Sequence, residues 1–418
     1  MKHQKMNYTY VGIDSHKNTH TAVLLDCFFE KLGKVTFNTM PSEYPAFLRE
    51  AENLKTQGTK LVFGLEDATL YGRTLARFLN EGGYIVKHVN SILTSRERKN
   101  QSITQKTDSL DAQCTARVLL SKFGELPDAI HESKFWILRT LVISRDSVVK
   151  ENTRLKMHLH SLLTQHYPNY RDFFVYTFGK TALAFFKKYP SPITLLDVSL
   201  EELAEFLLEE SCDRFGIQKA NFIISSLEDT SAEYQEIRDM AVQSAIRRLE
   251  SNLKELERME MSMAVYLDKL GCTLTSMAGI DVVSASKILS CIGDVKRFPS
   301  PGKLARYAGI APVTYASGQK DLRYANKRGN RELNSLFYRL AVRLTSPVGP
   351  NNKIINHFFY EYYHRKLSEG KTKRQALKCV ERRLVNIIWT MLTYDEEYVG
   401  PPVTDIPPEI DKDVIKKI

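Results

Sequence analysis

Four carboxylates occupy positions at which a metal-dependent reaction could use them. Asp14 follows one apolar run and Glu66 ends another, which places both acids near the ends of predicted strands. Asp108 and Asp111 lie three residues apart in a predicted helix, so they share one of its faces. Mg²⁺ prefers such oxygen ligands, and two ions about 4 Å apart can stabilise both oxygens of a phosphoryl transfer. The set therefore predicts a divalent-metal site, although each acid alone also fits a turn or a helix N-terminus.

A second group of chemistry-bearing residues lies between positions 304 and 334. Basic side chains are interleaved there with tyrosines, a mixture that suits a phosphate backbone and stacking on bases, although a solvated run of charges is the alternative. The candidate nucleic-acid contacts are Arg306, Lys320, Arg323, Lys327, Arg328, Arg331, Tyr315 and Tyr324. Ser317 could attack a phosphodiester whose developing charge the neighbouring cations would neutralise. Spacing alone does not separate this role from that of a turn serine, and Tyr315 and Tyr324 are also nucleophiles.

The N-terminal third has the pattern of an α/β domain that would position the four acids. The predicted elements are a β-hairpin over 8–26, a buried strand over 60–66, a helix over 70–81 that ends at Gly82-Gly83, a strand over 84–89, and a helix over 107–121 with Thr107 as its N-cap. A strand, a helix and a second strand in this order imply parallel pairing.

Two later stretches, 138–162 and 246–270, carry mostly apolar residues at heptad spacing. They predict two long coiled-coil helices that pair with each other, with another subunit, or both. Three polar residues interrupt the seams and could fix their register: Arg145, Asn152 and Glu260. The stretch 165–240 between them predicts a small helical insert, in which 197–240 has twelve acidic residues against three basic ones.

From 272 to about 394 the chain is predicted to be helical and basic, with twelve basic residues against four acidic ones over 276–345. Residues 274–294 have a turn at Gly279-Ile280-Asp281 between two helical stretches. This looks like a helix-hairpin-helix element that offers backbone N–H groups to a phosphate, although a hairpin that only packs is the alternative. We divide the chain into an α/β domain (1–128), coiled-coil helices with an insert (129–271), a helical domain (272–400) and a tail (401–418).

Composition excludes several classes of protein. The 418 residues are 43% hydrophobic, so a wholly disordered chain is excluded, and two or three domains are expected. No apolar run reaches about 18 residues and the N-terminus lacks the apolar core of a signal peptide, which predicts a cytoplasmic protein without a membrane span. Six scattered cysteines without a CxxC pair exclude a zinc ribbon. The net charge of +10 favours a polyanionic partner.

The order of these motifs resembles one family of insertion-sequence transposases. Residues 11–26, FGLEDATLYG at 63–72 and KTDSLDA at 106–112 resemble the family's DEDD-type RuvC-like domain. YAGIAPVTYASGQK at 307–320 and KRGNRELN at 327–334 are similar to the family's C-terminal transposase domain. The family also includes pilin-gene invertases.

The resemblance implies a ribonuclease-H-like N-terminal fold. It also implies a DEDD site that binds two Mg²⁺ ions, formed by Asp14, Glu66, Asp108 and Asp111. It assigns the family's serine nucleophile to Ser317. It further implies a DNA recombinase in the prokaryotic cytoplasm, close to the nucleoid, that acts as a homodimer or homotetramer. A structured bridge RNA encoded by the element would pair with both donor and target DNA and guide the recombinase.

The expected chemistry is a Mg²⁺-assisted attack of Ser317 on DNA, which gives a covalent phosphoserine link and allows strands to be rejoined. Two other functions fit parts of the sequence. A Mg²⁺-dependent Holliday-junction resolvase or nuclease needs the four acids and no serine. A non-catalytic nucleic-acid scaffold needs only the basic module. The intact acids argue against the scaffold, and the resemblance around Ser317 argues against the plain nuclease.

Overall fold

The structure of the chain is a computed structural model. The structure describes residues 4–66, 71–101, 105, 107–129, 133–228, 233–317, 320–324, 326, 329–349 and 351–400. The chain divides into two compact units, Met1–Ser133 and Lys134–Ile418. The first is a mixed α/β unit and the second is largely helical. The predicted divisions at 271 and 400, inside the second unit, stay predictions.

Five strands of the first unit form one mixed sheet in the order β3-β2-β1-β4-β5. The strands are β1 Tyr8–Ser15, β2 Thr19–Leu25, β3 Lys31–Asn38, β4 Lys60–Leu65 and β5 Ile85–His88. The first three pair antiparallel, whereas β4 runs parallel to β1 and β5 runs parallel to β4. The predicted hairpin and the predicted parallel strand–helix–strand unit are therefore confirmed.

Helices cover both faces of this sheet. They are α1 Tyr44–Leu54, α2 Arg73–Glu81, α3 Ser91–Asn100 and α4 Asp108–Lys122. Val11 and Ile13 of β1 share an apolar core with α1 and α2, whereas Ala112 and Ala116 of α4 pack on the other face, against β2. Because both faces are buried, β1 and β4 are continuous apolar runs, as the sequence predicts.

Helix α5, Ser133–His166, begins at the boundary and leads into the second unit, where the chain returns along α10, Gln235–Lys269. These are the two long helices that the heptads predict, and ion pairs such as Arg145–Glu260 connect them. Leu155 and Leu249 are buried, but Leu253 in the middle of α10 is 41% exposed. A coiled coil that is continuous along both helices stays a prediction.

The segment between the long helices is helical, as predicted, and packs an aromatic-rich core against α5 and α10. Its helices are α6 Tyr170–Phe173, α7 Lys180–Lys188, α8 Leu200–Ser211 and α9 Ile217–Ser225. Phe185, Phe186 and Leu203 lie inside this core. The acidic residues Glu201 and Glu205 of α8 are exposed, so part of the negative charge of this segment lies on a solvated face.

In the described C-terminal part, five α-helices share a common core, and a pair of β-strands lies between the second and third of them. The elements are α11 Val282–Ile292, α12 Pro301–Tyr307, β6 Val313–Ser317, β7 Lys320–Tyr324, α13 Arg331–Thr345, α14 His357–Ser368 and α15 Lys373–Tyr394. The expectation of a helical segment was wrong over Val313–Ser317 and Lys320–Tyr324, which are strands. Val313 and Thr314 are β-branched and favour an extended backbone. The prediction missed this local preference because it treated the whole basic region as one helical segment.

The helix-hairpin-helix interpretation of 274–294 is not confirmed. Its first stretch is a short 3₁₀ turn, Leu274–Ser276, and only the second is an α-helix, α11. The side chain of Asp281 accepts the backbone N–H of Ser284 at 2.8 Å and also pairs with Arg343 at 2.7 Å. A carboxylate therefore already caps the helix N-terminus that was expected to meet a phosphate.

Two further expectations concern the whole chain. All six cysteines are free thiols, in agreement with their scattered positions. Among the described helices, none combines the length and the apolar character that a membrane crossing requires.

Candidate active site

Asp14 and Glu66 lie at the same edge of the sheet. Asp14 is the last residue but one of β1, and Glu66 directly follows β4, the parallel neighbour of β1. The backbone N–H of Glu66 donates to the carbonyl oxygen of Ile13 at 3.3 Å, which continues the ladder to this point. The carboxyl ends of adjacent parallel strands meet at one edge of the sheet, so both acids lie at that edge, and a metal ion shared between them stays a prediction.

Two glycines allow α4 to lie directly on the sheet beside them. Gly12 and Gly64 are register partners in β1 and β4. A Cβ at Gly12 would lie 2.2 Å from both the carbonyl oxygen of Ala112 and the amide nitrogen of Ala116, so only glycine permits this approach. Side chains alternate along a strand, and Asp14, two residues after Gly12, therefore faces the same side as α4.

The first turn of α4 supplies the other two acids. Thr107 caps the helix, because its Oγ1 accepts the backbone N–H of Leu110 at 3.2 Å, as predicted. Asp108 is exposed and Asp111 is buried. His16 contacts both Asp108 and Asp14 and so bridges them. Asp111 instead forms an ion pair with Arg98 of α3.

His16 joins two of the acids and was not among the predicted site residues. Its Nε2 lies 3.1 Å from Oδ2 of Asp14 and 3.2 Å from Oδ1 of Asp108. One ligand atom from each of the three residues lies within 4.8 Å of the other two. The signal in the sequence is slight: His16 stands two residues after Asp14, just beyond the strand.

The other two acids line a common cleft with basic side chains of α3. Glu66 and Asp111 form part of its wall, together with Arg96, Arg98 and Lys99. Sequence reasoning missed this contribution, because a run of charges on a short helix is ordinarily a solvated face. The cleft places exposed cations beside two of the four acids, as the binding of a phosphate chain requires.

The electrostatics of the acids favour a bound cation. Burial raises the pKa of Asp14 above its usual value, the adjacent His16 lowers it, and the carboxylates of Asp111 and Asp108 raise it further. The donor set of carboxylate oxygens and one imidazole nitrogen fits a divalent metal ion. The N-terminal unit therefore has a candidate metal centre at the edge of its sheet.

The predicted serine lies in the second unit, at the end of a β-strand. Ser317 is the last residue of β6 and pairs in register with Lys320, the first residue of β7. Arg306, Tyr324 and Arg331 are exposed, as a nucleic-acid surface requires. The predicted contacts Lys327 and Arg328 lie outside the described residues, as do the side chains of Tyr315, Ser317, Lys320 and Arg323.

Several residues of the serine-containing motif close the base of this hairpin. A Cβ at Gly329 would lie 2.3 Å from Cα of Gly309, so the two backbones touch. The N–H of Asn330 donates to the carbonyl of Tyr307 at 2.7 Å, and Nδ2 of Asn334 donates to that of Ala308 at 3.0 Å. These contacts fix where both strands leave the helical core.

Comparison with known proteins gives two family matches. Residues 11–168 match the DEDD transposase family model, and residues 272–353 match the model of the IS116/IS110/IS902 transposase family. Together the two matches cover more than half of the chain. The first match contains all four acids and the second contains Ser317.

Individual relatives agree with these matches. A protein of insertion element IS116 from Streptomyces clavuligerus is 25% identical over 94% of this chain and 97% of its own length. A pilin gene-inverting protein from Moraxella bovis is 28% identical over 30% of this chain and 37% of its own length. The transposase for insertion sequence element IS1111A from Coxiella burnetii is 27% identical over 29% of this chain and 33% of its own length. The chain belongs to the IS110/IS116 family of insertion-sequence transposases.

Proposed function

We propose that this transposase cuts and rejoins DNA strands through a covalent phosphoserine intermediate at Ser317, assisted by Mg²⁺. Two Mg²⁺ ions would be bound by the four acids, Asp14, Glu66, Asp108 and Asp111. The observation that carries the proposal is the convergence of the four acids at one sheet edge, in a chain whose C-terminal region matches the family's transposase model. The mixed sheet, with acids on β1, after β4 and on α4, supports a ribonuclease-H-like, RuvC-like fold for the N-terminal unit.

The reaction transfers one phosphodiester bond to the protein. The hydroxyl oxygen of Ser317 attacks the phosphorus and the bond from phosphorus to the 3′ oxygen breaks. The serine loses one proton, and the released 3′ oxygen takes up one proton to become a 3′-hydroxyl. Divalent ions, when bound, stabilise the charge on the attacking and leaving oxygens. Because the serine ester retains the bond energy, attack by a 3′-hydroxyl rejoins a strand without ATP. The exposed Arg306 and Arg331 would bind the flanking phosphates.

The partners we propose are donor and target DNA, an element-encoded bridge RNA, and further copies of this chain. The basic character of the C-terminal part supports nucleic-acid binding, which would place the protein in the cytoplasm near the nucleoid. Apolar side chains on the long helices support a homodimer or homotetramer: Ile143 is 57% exposed, Val265 is 55% exposed and Leu253 is 41% exposed. A coiled-coil contact between subunits would cover such residues.

Covalent trapping tests the chemistry. The full-length protein, expressed with the flanks of its gene, is incubated with Mg²⁺ and DNA substrates that cannot be religated. Any adduct is then located by peptide mass spectrometry. We expect an adduct on Ser317 that is absent from Ser317→Ala. Asp14→Asn should lose both adduct formation and cleavage while nucleic-acid binding persists, because one metal-binding carboxylate is removed and the basic surface is intact.

Other outcomes would select the other functions. An adduct on Tyr315 or Tyr324 would keep the recombinase and exclude serine as its nucleophile. Metal-dependent cleavage without an adduct on any substrate would favour a resolvase or nuclease. Binding without cleavage, unchanged in Asp14→Asn, would favour a non-catalytic scaffold. Cleavage at the wild-type rate by Asp14→Asn would remove the metal centre from the mechanism.

A further inference from the structure

We propose that His16 is a third protein ligand of the metal ion held by Asp14 and Asp108, and that this nitrogen donor makes the centre prefer Mn²⁺ to Mg²⁺. The inference rests on the proposed metal centre and adds to it a ligand of a different chemical type. It also makes the acid quartet an incomplete description of the site in this chain.

The first support is the spacing of the three ligand atoms. Nε2 of His16 lies 3.1 Å from one carboxylate oxygen of Asp14 and 3.2 Å from one of Asp108. Adjacent ligands of an octahedral ion with bonds of 2.0–2.1 Å are separated by about 3 Å. The imidazole nitrogen therefore already stands at the distance from each carboxylate that two ligands of a common ion would have.

The second support is the way the backbone holds His16. Its N–H donates to the carbonyl of Thr19 at 2.9 Å, which closes the turn between β1 and β2. Its own carbonyl accepts the hydroxyl of Thr39 at 3.2 Å. The side chain itself is 50% exposed. The backbone is thus fixed on both sides while the ring borders solvent, from which water could complete a coordination shell.

The competing role for His16 is that of a protonated ion-pair partner of the two carboxylates. Both roles fit the distances, but they differ in the state of Nε2. A ligand must offer a lone pair to the metal, whereas an imidazolium offers a proton to the acids. A metal ion added to the protein would displace an ion-pair partner and would bind directly to a ligand. Coordination at the nitrogen therefore separates the two roles.

The preference for Mn²⁺ follows from the donor type. Mg²⁺ takes oxygen ligands and retains several waters, whereas divalent ions of the first transition series accept imidazole nitrogen more readily. A site with two carboxylates and one imidazole should gain more affinity for Mn²⁺ than for Mg²⁺. Replacing the imidazole with an amide should remove that difference and leave the oxygen ligands in place.

The experiment uses full-length protein without nucleic acid and with Mn²⁺ as the probe. Pulsed electron paramagnetic resonance reports a nitrogen-14 nucleus bound directly to Mn²⁺, and titrations measure the affinities for Mn²⁺ and Mg²⁺. We expect the nitrogen coupling in the wild type and in His158→Asn, whose histidine is exposed on α5, and its loss in His16→Asn. The affinity for Mn²⁺ should fall by about tenfold or more in His16→Asn, and that for Mg²⁺ should fall much less.

Two results would overturn the inference. Mn²⁺ bound to the wild-type protein without nitrogen coupling would make His16 an ion-pair partner. Equal losses of affinity for both metals in His16→Asn would remove its role in metal preference. The proposed metal centre is tested separately by Asp14→Asn, which should lose Mn²⁺ binding altogether. Unchanged Mn²⁺ binding in Asp14→Asn would contradict the centre itself, whatever His16 does.

Discussion

Arg96 and Lys99 give the cleft beside Glu66 and Asp111 its positive wall, and both side chains are exposed. We predict that the double variant Arg96→Ala/Lys99→Ala binds DNA more weakly and cleaves it more slowly. The slope of log affinity against log salt should fall by about one for each cation that contacts a phosphate. Binding measured over a range of salt concentrations checks this prediction.

The matched control for this cleft is Arg49→Ala. Arg49 is exposed on α1, which packs on the opposite face of the sheet from α4. Its removal changes the net charge in the same direction without touching the cleft. If Arg49→Ala and the double variant lose equal affinity per charge, the effect is one of net charge, and the cleft is not a phosphate site.

His20 makes the stability of the first unit sensitive to acid. The residue is fully buried, neither ring nitrogen has a hydrogen-bond partner within the described part of the chain, and burial lowers its pKa from 6.5 to about 4, with a smaller contribution from His16. The unfolded chain therefore binds a proton that the folded chain excludes. The free energy of unfolding should be at its full value above pH 6.5 and should fall by up to about 3 kcal/mol as the pH approaches 4.

Replacing His20 with phenylalanine tests this contribution. The ring lies 5.2 Å from that of Phe37, so phenylalanine should fill the position without a titrating group. Denaturant unfolding followed from neutral to acidic pH should show a smaller loss of stability in His20→Phe than in the wild type. The same curve in both proteins would show that another group controls the acid sensitivity.

Among the contacts between elements, the proposed metal centre should depend most on the glycine contact between β1 and α4. An alanine Cβ at Gly12 would stand 2.2 Å from two backbone atoms of α4, so the helix must move away from the sheet. We expect Gly12→Ala to destabilise the fold by about 2 kcal/mol or more and to weaken Mn²⁺ binding, because Asp108 and Asp111 move with the helix.

Gly124→Ala is the control, since a Cβ there would meet no atom within 4 Å of the described structure. Denaturant unfolding and Mn²⁺ titration of both variants make the comparison. Gly12→Ala should lose metal affinity and stability, and Gly124→Ala should keep both. Wild-type metal affinity in Gly12→Ala would mean that the glycine contact does not position the acids.

The ion pair between α5 and α10 should fix the alignment of these helices. Arg145 donates two hydrogen bonds, at 2.8 Å and 2.6 Å, to Oε1 of Glu260. Arg145→Glu or Glu260→Arg alone places like charges together and should each cost about 1–2 kcal/mol, whereas the swapped double variant should recover most of that loss. A double-mutant cycle from denaturant unfolding measures the coupling.

A second pair on the same helices provides the comparison. Arg248 and Glu151 are 2.9 Å apart, and the side chain of Arg248 is 61% exposed against 17% for Arg145, whereas the two glutamates are similarly exposed. Their coupling should be below about 1 kcal/mol, as is usual for solvated pairs. If the Arg145–Glu260 coupling is no larger, the polar interruption of the heptads is incidental and does not determine register.

The sequence predicted best those elements that depend on interactions between residues close together in the chain. The strands around Asp14 and Glu66, and the helix capped by Thr107, follow from local periodicity and capping, and they were predicted closely. His16 and Arg98 were missed because the contacts that bring them into the site, with Asp108 and Asp111 of α4, form only in the folded chain. The β6–β7 hairpin was missed because β-branched residues form only a short stretch within a basic, mostly helical region.

At the scale of the whole molecule, the four acids lie in one compact unit and Ser317 lies in the other. Both must act on the same phosphate in the proposed reaction. The sequence alone left open whether one chain supplies both or whether two chains share them. The homodimer or homotetramer proposed above would allow two chains to share a centre.

Mixing two inactive variants tests this sharing. Asp14→Asn retains Ser317, and Ser317→Ala retains the acids. If each centre combines acids from one subunit with the serine of another, then random mixing in a dimer should restore about a quarter of the wild-type adduct, because one of two centres works in half of the dimers. If each centre lies within one chain, every centre in the mixture lacks one component and no adduct forms. We predict recovery, measured as serine adduct on the Asp14→Asn chain alone, which carries a distinguishable mass tag. Mixed oligomers that form without any adduct would place both components in the same chain.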